Sequence, residues 1–298
     1  MYVLTLIADP AAANLQHSIV VRVRDALGAQ GIRAAPADWL APDIACDMAL
    51  ADAMPASALA AVRAALGEAP IDAAVMPAAG RRKKLLVADM ESTLISNEML
   101  DELAMRAGIG PKIADITRRA MNGELDFVAA LRERVRLLAG QPATRLAEAA
   151  AAITIMPGAR ALIATMRAHG AYCVIVSGGF RYFTRLVRER LGADADQGNE
   201  LEIVGGVLTG EVRNPVLGKD AKLAGLERYA AERAVPKLET LAVGDGANDV
   251  PMLLAAGLGV AFRAKPIVAA AVATRIDHGD LTGLLYLQGY RRDEFVSA

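Results

Sequence analysis

Three short apolar runs constrain the fold of this 298-residue chain more than any other feature. They are Leu85–Ala88, residues 171–176 and residues 240–243, and each ends at a polar or Gly-rich turn. A continuous apolar run of this length, bounded by turns, is how a strand buried on both faces of a parallel sheet reads. About 80 residues separate the first run from the second, whereas one crossover helix needs roughly a dozen. A helical lid inserted over the strand ends, at about 97–157, is therefore expected. Residues 199–212 read as a hairpin turning at Gly205-Gly206. The fold class is α/β, a Rossmann-like parallel sheet with a helical cap insertion.

Upstream the pattern differs. Residues 2–8 read as a strand, 15–27 as a helix, 32–39 and 44–51 as extended, 57–66 as a helix and 71–76 as a strand. The order β-α-β-β-α-β fits a small α+β, ferredoxin-like domain over 1–76. Residues 77–84, Pro-Ala-Ala-Gly-Arg-Arg-Lys-Lys, read as a solvated linker, leaving 85–298 as the second domain. At 54% hydrophobic the chain can bury a sizeable core. Its 4% aromatic content and net charge of −1 argue against a nucleic-acid partner. Cys46 and Cys173 are too few for a disulfide framework and read as buried, reduced thiols. No uncharged apolar run approaches membrane-spanning length, and the first residues do not read as a signal peptide. No membrane partner is expected, and the cytoplasm is the expected location.

The strand ends carry polar groups that could fit one another, at the edge where ligands bind in open α/β sheets. After the first run comes Asp89-Met90-Glu91-Ser92-Thr93, whose two carboxylates share a face if extended. Alone such a pair is most often a turn or a cap; it can also bind a cation or divide into nucleophile and acid. After the second run, Ser177-Gly178-Gly179 could aim a hydroxyl and backbone N–H groups at an oxyanion, or simply turn into a helix. After the third, Gly244-Asp245-Gly246-Ala247-Asn248-Asp249 offers two carboxylates and an amide. A cation held by Asp89 and Asp245 together would sit among hard oxygens, which suits Mg²⁺. Lys222 lies between the last two pieces on an expected helix.

In this order the pieces resemble the haloacid-dehalogenase superfamily of phosphatases. Its Asp-x-Asp-x-Thr, Ser/Thr, Lys and Gly-Asp-x-x-x-Asp motifs correspond to Asp89/Glu91/Thr93, Ser177, Lys222 and Gly244/Asp245/Asp249. A closer resemblance, covering nearly all of 85–285, is to the phosphoserine phosphatases within it. It rests on the runs 88–93, 97–98, 101–104, 119–121, 123–127, 131–135, 177–180, 199–202 and 243–249, and so includes the lid. Residues 1–76 resemble, by element order, the ACT-like amino-acid-binding domains that precede some of these enzymes.

The resemblance implies Mg²⁺-dependent hydrolysis of O-phospho-L-serine through an aspartyl-phosphate on Asp89, the last step of L-serine formation. Mg²⁺ would be held by Asp89, Asp245 and the Glu91 carbonyl. Ser177, Gly178 and Asn248 would hold phosphate oxygens, Lys222 would supply positive charge, and Asp249 would orient Lys222 or a metal-bound water. Thr93 and Gly179 complete their motifs as supporting residues. In the lid, Glu98 would read the substrate ammonium and Met121 would lie near the substrate. Phe127 and Arg134, seven residues apart, share a helix face to within about 20°. Arg134 could thus reach a carboxylate while Phe127 closes over it. The chain departs from its family at Glu91, where the acid/base residue is otherwise Asp. A shift near 1 Å can cost roughly 10²-fold in rate. Full activity through a shifted backbone is expected, with slow turnover or phosphotransfer to another alcohol as the other outcomes. Competing readings are a related phosphatase for another small phosphorylated substrate and a non-catalytic amino-acid sensor. Small domains of the ACT type often pair, so a homodimer is expected.

Overall fold

A computed structural model describes residues 1–51, 56–121, 124–218 and 220–296, without the side chains of residues 56, 57 and 121. The amino-terminal part runs β1 (Tyr2–Ala8), α1 (His17–Ala29), β2 (Asp38–Ala41), β3 (Ala45–Leu50), α2 (Ala56–Leu66) and β4 (Ile71–Pro77). The strands form an antiparallel sheet of order β2-β3-β1-β4. Residues 3–8 of β1 are all buried, so its side chains do not alternate between core and water. The reason is that both faces are covered. Leu4 and Leu6 pack with Val20, Val23 and Leu27 of α1, while Ile7 joins the core of the larger sheet. Boundaries move from their expected places: α1 runs from His17 to Ala29 rather than 15–27, and the first extended stretch forms a strand only over Asp38–Ala41.

The segment 77–84, expected to be solvated, is exposed at Pro77, Ala79, Arg82 and Lys84 but not at Arg81 and Lys83. Arg81 is held by Asp47 and Thr5 of the small sheet and donates to the carbonyls of Leu287 (2.8 Å) and Tyr286 (3.0 Å). Lys83 is buried, with Nζ 2.7 Å from the Gly80 and Leu238 carbonyls. Tertiary carbonyls and a carboxylate replace the water that Arg81 and Lys83 would otherwise need, while Arg82 and Lys84 stay exposed.

From β5 (Leu85–Ala88) the chain enters the parallel sheet. The lid follows as α3 (Met99–Arg106), α4 (Gly110–Met121), α5 (Phe127–Arg136) and α6 (Thr144–Ala150). It is attached by a short hinge in which Ser96 N–H donates to Thr154 O (3.0 Å) and Met156 N–H to Leu94 O (2.9 Å). After it come α7 (Ala159–Ala168), β6 (Tyr172–Phe180), α8 (Arg181–Leu191), β7 (Ala195–Asn199) and the hairpin β8 (Leu201–Val204) and β9 (Val207–Val212). Gly205 and Gly206 both have positive φ, 57° and 79°, as a two-residue hairpin turn of primed type requires. The chain ends with α9 (Ala221–Glu232), β10 (Thr240–Gly244), α10 (Val250–Ala255), β11 (Leu258–Phe262), α11 (Pro266–Ala271), β12 (Arg275–Ile276) and α12 (Gly283–Leu287).

The sheet order is β12-β11-β10-β5-β6-β7, all parallel, so the winding reverses between β5 and β10. Ligands bind at such a reversal, at the carboxyl ends of the strands. Among the described residues no helix is long and apolar enough to cross a membrane. Both cysteines are buried and free, with burial pushing the Cys46 thiol up to about 12.

Candidate active site

Asp89 leaves β5 at the reversal, its N–H bonded to Val243 O of β10 at 3.0 Å. Asp245 follows β10 directly. Lys222, in the first turn of α9, is buried with Nζ 2.8 Å from Asp89 Oδ1 and 2.5 Å from Asp249 Oδ1. Asp249 Oδ2 accepts the Gly246 N–H at 2.9 Å. A Cβ on Gly244 would stand 2.3 Å from Asp249 Cγ, so this approach requires glycine. Thr93 is buried and its hydroxyl lies 3.5 Å from Asp245 Oδ1.

The charges here do not balance within the protein. Asp89, Asp245 and Asp249 bring carboxylate oxygens within 4.8 Å of one another. Burial pushes the Asp89 carboxyl well above the usual range; Lys222 pulls it back, and Asp249 and Asp245 add to the push. Asp245 is raised by burial against the pull of Lys265, with Asp249 adding to the rise. Burial works against the charge of Lys222, but Asp89 and Asp249 outweigh it and hold the ammonium protonated. Three buried carboxylates facing one buried ammonium are a donor set that fits a hard divalent cation. The sequence reading assigned Asp249 to Lys222 or to a metal-bound water; it stands both against Lys222 and within the carboxylate cluster.

Ser177, Gly178 and Gly179 lie within β6, which extends past the turn expected there. The Gly179 N–H donates to Ser177 Oγ at 2.9 Å. Above them sits the lid. A Cβ on Gly178 would lie 2.7 Å from Phe127 Cζ, so the ring end rests on this glycine. Phe127 opens α5, capped by Asp126, and Arg134 two turns on lines the same cavity of about 450 Å³. Burial works against the Arg134 charge, while Asp101, Glu91 and Glu98 support it. Glu91 Oε1 accepts the Met99 N–H at 2.7 Å. Burial, reinforced by the charge of Glu98, raises the Glu91 carboxyl to about 7. Glu98, also raised by burial, accepts the Ser92 hydroxyl at 2.8 Å. Asn248 lines the cavity as well.

The expected residues therefore converge, apart from Met121, whose side chain lies outside the described residues. Thr93 and Asp249 sit behind the cavity wall. Sequence reasoning missed Lys265, at the mouth with Nζ 3.7 Å from Asp245 Oδ2. It follows β11, and the strand-end argument that singled out Asp245 would have found it had β11 been read as a strand. It also gave no role to Asn199, whose Nδ2 donates to Gly178 O at 2.8 Å and whose Oδ1 accepts the Leu217 N–H at 2.7 Å.

A sequence profile for haloacid dehalogenase-like hydrolases matches residues 86–254. A phosphoserine phosphatase of Mycobacterium tuberculosis is 45% identical over 74% of this chain and 54% of its own length. One from Lactococcus lactis is 45% identical over 68% of this chain and 94% of its own length. The chain thus spans about half of the first relative and nearly all of the second. The crystal structure of a probable phosphoserine phosphatase from Vibrio cholerae superposes with a TM-score of 0.81 at 32% identity, covering 98% of this chain and 87% of that one.

Proposed function

The chain belongs to the haloacid dehalogenase-like hydrolases, and on that premise we propose that it hydrolyses O-phospho-L-serine to L-serine and phosphate, closing the formation of L-serine. One observation carries this reading. A single cavity is lined both by Asp89, Asp245 and Lys222 of the buried cluster and by Glu98 and Arg134 of the lid. A phosphoryl group suits the cluster. An ammonium suits Glu98, and a carboxylate suits the fork of Arg134.

In this reaction Asp89 attacks phosphorus, the bond to the serine oxygen breaks, and Glu91 in its acid form gives that oxygen a proton. The ionised Glu91 then takes a proton from the water that attacks the aspartyl-phosphate, releasing phosphate and restoring Asp89. A carboxyl group raised to about 7 can serve in both directions. Lys222 balances charge on the transferred group, while the Ser177 hydroxyl, the Gly178 N–H and Asn248 hold its oxygens. Asp249 orients Lys222, and Thr93 supports Asp245. Mg²⁺ bound by Asp89, Asp245 and the Glu91 carbonyl would supply Lewis-acid charge neutralisation. The reading includes a cytoplasmic homodimer.

Phosphate release from phosphoserine should require Mg²⁺, stop on chelation, and fall by at least about 10³-fold in Asp89→Asn. Release unaffected by Asp89→Asn would overturn the reading. Phosphoethanolamine, which lacks the carboxylate, should turn over far more slowly; equal rates would remove Arg134 from substrate recognition.

A further inference from the structure

Position 91 carries one methylene more than the aspartate of the family motif, and that methylene has a contact. Glu91 Oε1 reaches the N–H of Met99, the first residue of lid helix α3, at 2.7 Å. Its other oxygen faces the phosphate side of the cavity, where a Cβ on Gly179 would lie 2.8 Å from Oε2. Ser92 makes a parallel connection. Held at a φ of 54°, it donates its hydroxyl to Glu98 Oε1 at 2.8 Å. Both bonds run from the loop that carries Asp89 to the start of α3, one to Met99 and one to Glu98 just before it. At the hinge, the bonds from Ser96 to Thr154 and from Met156 to Leu94 are main chain to main chain, and Asn97 Oδ1 accepts the Thr154 N–H at 2.8 Å.

We infer that Glu91 is a lid latch in addition to its acid/base role, positioning α3 and, beside it, Glu98. Reach decides the point. A carboxylate ending about 1.5 Å short could not bridge to Met99 within the roughly 3.2 Å limit of a hydrogen bond. The first N–H groups of a helix have no partner within it, and Glu91 Oε1 supplies an acceptor there, as the amide oxygen of a glutamine would. The two oxygens divide the tasks: Oε1 holds the lid, and Oε2 remains free to carry the proton. The acid/base half rests on the proposed function; the latch rests on the geometry alone.

Amide hydrogen exchange of the full chain tests it, following residues 97–106 with β10 as internal control. E91D keeps a carboxylate and loses the reach. E91Q keeps the reach and the Oε1 acceptor and loses the proton-carrying oxygen. Exchange at the start of α3 should accelerate on the order of tenfold in E91D, the loss of one hydrogen bond. In E91Q it should stay near the parent. E91D exchanging like the parent, or E91Q as fast as E91D, overturns the latch. If E91D also loses protection in β10, E91Q decides alone, because lost α3 protection beside a retained acceptor contradicts the latch. Ser92→Ala keeps Glu91 and should accelerate the same segment; no change removes Ser92 from the device. Phosphate release by E91Q separates the two roles. Slow release with a protected α3 supports both, fast release with a protected α3 overturns only the acid/base role, and slow release with an unprotected α3 overturns only the latch.

Discussion

A methyl group at position 178 would occupy the space of the Phe127 ring end, 2.7 Å away. The ring belongs to lid helix α5, so accommodating the methyl means displacing the lid from β6. Gly178→Ala is therefore expected to keep its thermal midpoint near that of the parent. Its kcat/KM for phosphoserine should fall by about 10²-fold, the cost of roughly 1 Å of misplacement. Parent-like kinetics would mean that ring rotation alone absorbs the methyl. Gly178 was legible because a hydroxyl and glycines after an apolar run suggest an anion cradle whatever the fold. Lys265 was not. Its meaning depends on Asp245, twenty positions away, and on β11, whose run of Leu-Gly-Val-Ala-Phe was not recognised as a strand.

At the level of elements, α5 depends on its cap. Asp126 Oδ1 accepts the N–H groups of Val128 (2.8 Å) and Ala129 (3.0 Å), two donors without partners inside the helix. Asp126→Ala should weaken this end by about 1 kcal/mol. Because the helix carries Phe127 and Arg134, the loss should appear in binding: KM for phosphoserine is expected to rise several-fold, by about fivefold for 1 kcal/mol, with kcat less affected. A fall in kcat at unchanged KM would show that α5 contributes to the chemical step instead. The central strands β5 and β10 were legible because burial on both faces demands uninterrupted apolar runs. Edge strand β7, Ala-Asp-Gln-Gly-Asn, was not. It is half-buried except at Asn199, and Asp196 is held by the Thr184 hydroxyl and Arg188. Strand β12 has only two residues, too few for any pattern.

For the whole molecule, the decisive bonds join the small antiparallel sheet to the large parallel one. Asp72, at the start of β4, accepts the backbone N–H groups of Asp277, His278 and Gly279, just after β12. Arg291 makes two bonds to the Asp38 carboxylate and one to the Trp39 carbonyl. Arg81 stands between, with three bonds to Asp47 and Thr5 and two to the carbonyls of Tyr286 and Leu287 at the end of α12. Sequence could not reveal this, because a run of Arg-Arg-Lys-Lys reads as solvated until its distant partners are known. The consequence is a small sheet docked on the large one rather than hung from a tether. Removing Arg81 leaves Asp47 buried without its counter-charge and the Leu287 carbonyl without its donor, while Tyr286 O keeps the Gly289 N–H, a loss of about 3 kcal/mol. For a chain of this size that is a fall of about 5–10 °C in the unfolding midpoint. Arg81→Ala should show that fall by calorimetry, whereas Arg82→Ala, whose ion pair with Glu294 is largely solvated, should stay within about 1 kcal/mol of the parent. If the two variants melted together, docking through Arg81 would be no stronger than a surface pair, and the small sheet would be held by Asp72 and Arg291 instead.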